Sequence, residues 1–385
     1  MNSKKWVKIW LMTLITINLA YAGGILYLDP LQIFHKAPFS KNLFYKDQIV
    51  HNAGIINSYD FDSIILGTSM LENTSSKEAS ALLDSNFVNL SISGSKLADR
   101  AFTLNYALNK KEIKSVIISL DRFGKVGEYR VNNAVDSYSF LYNDSSYDDI
   151  KVYANPKYLL IAVCQVAKKY IEYCSNKFKS IENLNEWFSN KKDSIRFGGI
   201  DNWIKSSDNP QVERAFKKIL KKVQCIKDNN CAVDKAALYT HTKESFDSYI
   251  FKYAQLNPDT KFHLVFPPYS RLRYALWKQA NTGEFELYES AINYIVKKTQ
   301  SLENISVYGF DHLSFVDDIS NYQDTGHYHP NINSMMLSAI KNKIHVLTPE
   351  TVNLYIEKVK NQAQAYNIEN ITDKIKLAIE LKPLL

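Results

Sequence analysis

Two short stretches carry side chains that together are able to do acyl chemistry. In "SIILGTSML", Ser63 to Leu71, an apolar run breaks at Gly67-Thr68 and presents the hydroxyl of Ser69. In "NYQDTGHYHPNINSMML", Asp324 stands three residues before His327. A serine hydroxyl is a weak nucleophile until a base takes its proton, and the base works best when an acid fixes its tautomer. D-x-x-H spacing lets a carboxylate bond one imidazole nitrogen while the other faces a serine. Each stretch also has a plainer reading, since Ser is frequent in turns and Asp-His neighbours are common in loops. What separates the readings is whether the elements of the fold bring the two stretches together.

Those elements read as an alternation. "SIILG" (63–67) precedes a helical pattern opening at Ser75-Ser76, with Glu78 suited to its first turn. "NFVNLSIS" (86–93) precedes Leu97, Ala101, Leu104 and Leu108 at helical spacing. "IKSVIISLD" (113–121) is a continuous β-branched run of the kind buried in a parallel sheet. "KFHLVFPP" (261–268) follows a helix predicted over 243–256, and "ISVYGF" (305–310) follows one predicted over 285–299. Strands alternating with helices predict an α/β sandwich on a mostly parallel sheet, and ligands bind such sheets at the carboxyl ends of their strands. Ser69, "SISGS", "DRFG", "PPYSR" and "FDHLS" all fall there.

The first thirty residues set the location. Lys4, Lys5 and Lys8 lead into an apolar run without an acid until Asp29, and Ile9 to Leu28 is long enough to span a hydrocarbon core. Basic residues on its amino side predict a cytoplasmic N-terminus and an exported remainder. Ala20-Tyr21-Ala22 also fits a small-x-small cleavage site; the length of the run favours an uncleaved anchor over a cleaved signal. Cys225 and Cys231 bracket a polar turn and are placed to close a small disulfide in an oxidising compartment. Cys164 and Cys174, ten residues apart in a helical pattern, are too distant to bond if that helix is continuous.

Composition bounds the remaining choices. The chain has 385 residues, is 45% hydrophobic and 23% charged, and carries a formal net charge of +7, as a folded globular protein does. Its lysines are dispersed, with Lys110-Lys111, Lys191-Lys192 and Lys221-Lys222 the densest pairs, and no nucleic-acid signature is present. "GTSMLENTS" lacks the Gly-Lys-Ser/Thr ending of a phosphate loop. No cysteine or histidine pattern has zinc spacing.

In combination, "GTS" after the first core strand, "NLSISG" after the second and D-x-x-H before the last core helix resemble the SGNH/GDSL hydrolase superfamily. The resemblance implies Ser69 as nucleophile and His327 and Asp324 as its base and acid. The oxyanion hole would use backbone N–H groups of Ser69 and Gly94. It implies no metal and no diffusible cofactor. That superfamily usually places an Asn after the third strand to donate to the oxyanion; here Asp121 stands in that place, and an ionised carboxylate only accepts. Asp121 is left as a protonated donor, a ligand for a substrate hydroxyl or a structural cap, with Arg122 placed to neutralise it. Arg122, Tyr269, Tyr328 and His329 are the candidate substrate contacts, although the three rings read first as packing or loop structure.

An N-terminal anchor, "YLDP" just beyond it and "FPPYS" after the fourth strand narrow the likeness to bacterial proteins of alginate O-acetylation. That likeness implies a glycan acceptor, an acyl donor supplied by a multi-spanning membrane acyltransferase, and an O-acetyltransferase or acetylesterase activity. A non-catalytic glycan-binding scaffold is the alternative of another class. The expected layout is an anchor over 1–30, core segments over 31–130 and 241–347, a mostly helical insertion over 131–240 and a helical tail over 348–385.

Overall fold

The computed structural model describes residues 3–39, 41–121, 133–167, 172–174, 178–228, 231, 235–281 and 283–381. Contacts divide the chain into two units. One comprises 1–60, 106–111 and 133–184; the other comprises 61–105, 112–132 and 185–385. Residues 131–240, expected as one insertion, are therefore shared out at Leu184.

The first unit opens with helix Ser3–Leu28, whose most apolar window has a mean hydropathy of 1.7. At 1.5 Å per residue such a helix is about 39 Å long, enough to cross a hydrocarbon core of about 30 Å. Trp6, Ile9, Met12, Ile15 and Leu19 are exposed along it, apolar surface that water penalises. The chain turns out of the helix at Asp29, whose carboxylate accepts from the backbone N–H groups of Ile33, Phe34 and His35 and from the Tyr153 hydroxyl. Strand β1 (Leu43–Tyr45) pairs antiparallel with β5 (Phe178–Ser180), a short strand the polar composition of this segment conceals. Helix Pro156–Ala167 stops before Cys174, so the continuous helix assumed from sequence is absent. Cys164 and Cys174 come to 5.1 Å between Cα atoms, where ten helical residues would span about 15 Å, and are bonded.

The second unit is built on a five-stranded sheet of β2 (Ser63–Leu66), β3 (Phe87–Asn89), β4 (Ser115–Ser119), β6 (Lys261–Phe266) and β7 (Ile305–Gly309). All neighbours are parallel, in keeping with the mostly parallel sheet the five apolar runs predict, and they stand in the order β3-β2-β4-β6-β7. Every residue of β2 and β4 is buried, which is why these strands read as unbroken apolar runs rather than alternating ones. The winding reverses between β2 and β4, and a crevice forms at the carboxyl ends of strands where such a reversal occurs. Helix Ser76–Leu83 starts as expected, with the Ser75 hydroxyl accepting from Glu78 N at 3.1 Å. Cys225 and Cys231, 5.4 Å apart at Cα, are bonded.

The C-terminal segment departs from expectation in detail. Thr348 and Thr351 close a turn on each other, so the first helix of the tail expected over 348–385 begins only at Val352. Helices Val352–Ala365 and Glu369–Leu381 bury Tyr355, Val359, Ile371 and Ile375, which makes them part of the core.

Candidate active site

Gly67, Thr68 and Ser69 leave β2 in a tight turn. A Cβ at Gly67 would lie 2.5 Å from the Leu71 Cβ, so only glycine lets the chain fold back this closely. The next loop of the sheet is pinned to the same glycine. Gly67 N donates to Ser91 Oγ at 3.0 Å, and Gly67 O accepts from Ile92 N at 2.9 Å and Ser95 Oγ at 3.3 Å. Gly94 sits at that loop's tip with φ of +65°, a left-handed conformation that favours glycine. Among the described residues no acceptor pairs with the backbone N–H of Ser69 or Gly94.

Asp324 and His327 arrive on a hairpin closed by an antiparallel bridge between Tyr322 and Tyr328. It is tied to the end of β6 by Tyr322 Oη donating to Pro268 O at 3.0 Å and Ser270 Oγ donating to Thr325 O at 2.8 Å. These ties set His327 Nε2 2.8 Å from Ser69 Oγ and His327 Nδ1 2.7 Å from Asp324 Oδ2. The other carboxylate oxygen accepts from the N–H groups of Gly326 and His327 at 2.8 and 2.9 Å. A carboxylate accepts, so Nδ1 carries the proton, Nε2 is the free base and the Ser69 hydroxyl donates to it.

Charge supports that assignment. Burial works against ionised Asp324, but the His327 charge and the hydrogen bonds from His327 and Gly326 outweigh it and hold the carboxyl well below its usual range. Burial likewise disfavours the imidazolium of His327. The Asp324 charge and hydrogen bond overcome this and raise its pKa above 6.5, with Arg273 and Arg196 opposing. The His327 side chain remains 32% exposed and therefore reachable.

Asp121 does not face an oxyanion. Its Oδ1 accepts from Arg100 Nη1 at 2.7 Å and Ser119 Oγ at 2.6 Å, and its Oδ2 accepts from Thr68 Oγ1 at 2.5 Å. Thr68 Oγ1 in turn accepts from Met70 N at 3.3 Å, so the carboxylate holds the Ser69 turn from behind. Arg100, 1% exposed, pairs with it; Arg122, expected to do so, lies outside the described residues. Tyr328 is also no substrate contact. It is 2% exposed and donates to Met70 O at 2.9 Å, a second brace on the same turn. Tyr269 is half-buried against Tyr274 and Trp277, with the Arg273 guanidinium 4.0 Å from its ring centre. His329 caps helix Pro330–Asn342 and packs edge-on to Phe188 and Phe197.

Sequence reading missed Trp187. Its indole Nε1 donates to Ser69 O at 2.9 Å, and its ring meets that of His327 at 5.7 Å and 88°. Asn73 Oδ1 anchors its backbone by accepting from Trp187 N and Phe188 N. Nothing local in "ENLNEWFSN" signals this, because the contact spans 118 residues of chain. Arg100 left a fainter mark, as a charged residue inside the helix whose apolar stripe is Leu97, Ala101 and Leu104. Compared with known proteins, the chain matches no family model, no curated protein and no solved structure.

Proposed function

We propose that this chain is an exported, membrane-anchored O-acyltransferase of the SGNH type that moves an acetyl group onto a glycan hydroxyl. The observation that carries the reading is the unbroken chain from Ser69 Oγ through His327 to Asp324, at 2.8 and 2.7 Å. In this reading His327 takes the Ser69 proton as Oγ attacks the acyl carbonyl, and the N–H groups of Ser69 and Gly94 receive the oxyanion. The leaving group departs with the proton from His327. A sugar hydroxyl then attacks the acyl-enzyme, with His327 again as base and Asp324 supporting the imidazolium. The strand order is that of flavodoxin-like sheets, which supports a three-layer α/β/α sandwich as the fold. Helix Ser3–Leu28 would hold the domain on the outer side of a bacterial inner membrane, within reach of a multi-spanning acyl donor.

The test compares the full-length chain with Ser69→Ala for acetate release from p-nitrophenyl acetate, with and without added oligosaccharide. The reading expects Ser69→Ala to lose activity by about 10⁴-fold or more. It also expects acetyl to appear on the oligosaccharide. Equal rates in the two proteins would remove Ser69 from the mechanism, and hydrolysis indifferent to sugar would make the enzyme an esterase.

A further inference from the structure

The first unit, which does not contain Ser69, holds a half-open pocket of about 340 Å³ lined by residues such as Asn57, Tyr106, Lys110, Asn143, Asp144 and Asp149. Its size lies at the lower end of small-molecule sites. Asp149 is only 5% exposed, yet its Oδ1 has no hydrogen-bond partner. A buried acceptor without a donor is costly, and a ligand group donating to this carboxylate would relieve that cost. Burial and the nearby Asp148 charge push this carboxyl up to about 6, with Lys110 opposing, as expected of an acid held short of partners.

The other polar groups restrict what that ligand can be. Tyr106 Oη donates to Asn57 Oδ1 at 2.6 Å, and Asn143 makes exposed hydrogen bonds with Asp148 and Ser145. At the mouth Lys110 pairs with Asp144 at 3.2 Å, a contact open enough to water to be exchanged for a ligand. A cation entering would meet the Lys110 ammonium, and an anion would meet Asp144 and Asp149. Hydroxyl groups both donate and accept, and satisfy both signs at once. We propose that this pocket binds a neutral, hydroxyl-rich ligand, a sugar residue, with one hydroxyl donating to the Asp149 carboxylate and another accepting from Lys110.

The experiment is saturation-transfer NMR on the full-length chain in phosphocholine micelles. Glucose and maltotriose are the neutral probes, glucosamine the cationic one and glucuronate the anionic one. Transfer to glucose or maltotriose is expected, with affinity falling about tenfold or more in Asp149→Ala, the scale of one charge-assisted hydrogen bond. Lys110→Met, at the pocket mouth, is expected to weaken binding as well. Ser69→Ala is expected to bind as the wild type does, which separates this site from the acyl chemistry. Absence of transfer to both neutral sugars would overturn the proposal. So would binding unchanged in both cavity variants, or a preference for glucosamine or glucuronate.

Discussion

His327 is where the chemistry of a single residue is most exposed to test. In the proposed mechanism it acts as a base only when neutral, and its pKa is raised above 6.5. Acyl transfer should therefore rise with pH along a limb centred above the ordinary imidazole value, which a pH–rate profile of kcat/KM measures. Asp324→Asn removes the charge that raises His327 and leaves the burial that lowers it, so the limb should move to lower pH. The same change frees the wrong tautomer, and kcat should fall by about 10⁴-fold. A limb that stays in place would show that some other group titrates. At the same scale, D-x-x-H spacing correctly pairs Asp324 with His327, because only two loop residues separate them. Asp121 was legible as an oddity but not as a brace, since Arg100 and Thr68 lie 21 and 53 residues away in the chain.

The elements show how the serine is held. The turn after β2 is braced from three directions, by Asp121 through Thr68, by Tyr328 through Met70 O and by Trp187 on Ser69 O. Arg100→Leu leaves Asp121 buried without its counter-charge and should cost about 3–5 kcal/mol in urea unfolding. Replacing Arg100 and Asp121 together by apolar residues should cost much less than the two single changes summed, because neither charge is then left alone. Additive losses would mean that the pair does not act as a unit. The disulfide Cys164–Cys174 belongs to another element, the end of helix Pro156–Ala167. Cys164→Ser with Cys174→Ser should lower stability by about 2–4 kcal/mol, the usual scale for restraining an unfolded chain. The helical periodicity of this segment was readable, but its stopping point was not, and the stopping point decides whether the sulfurs meet.

For the molecule as a whole, helix Ser3–Leu28 is long and apolar enough to cross a membrane, and the proposed export rests on it. The full chain should stay with membranes through alkaline carbonate extraction, and a chain lacking residues 1–28 should leave them. A C-terminal alkaline phosphatase fusion should be active and a C-terminal green fluorescent protein fusion dark, as an exported domain requires. The reverse pattern would place the Ser-His-Asp site on the cytoplasmic side.

The sequence alone carried the five core strands and the apolar N-terminal helix, because both are written in contiguous runs whose burial depends on local pattern. It also carried Ser69, Asp324 and His327, whose residue types announce their chemistry within short motifs. Only the tertiary structure decided that Ser69 and His327 stand 2.8 Å apart, that Asp121 turns its carboxylate to Arg100 and Thr68, and that Trp187 reaches the serine. These contacts join segments up to 258 residues apart. Their geometry depends on strand order and loop ties, which no local pattern encodes.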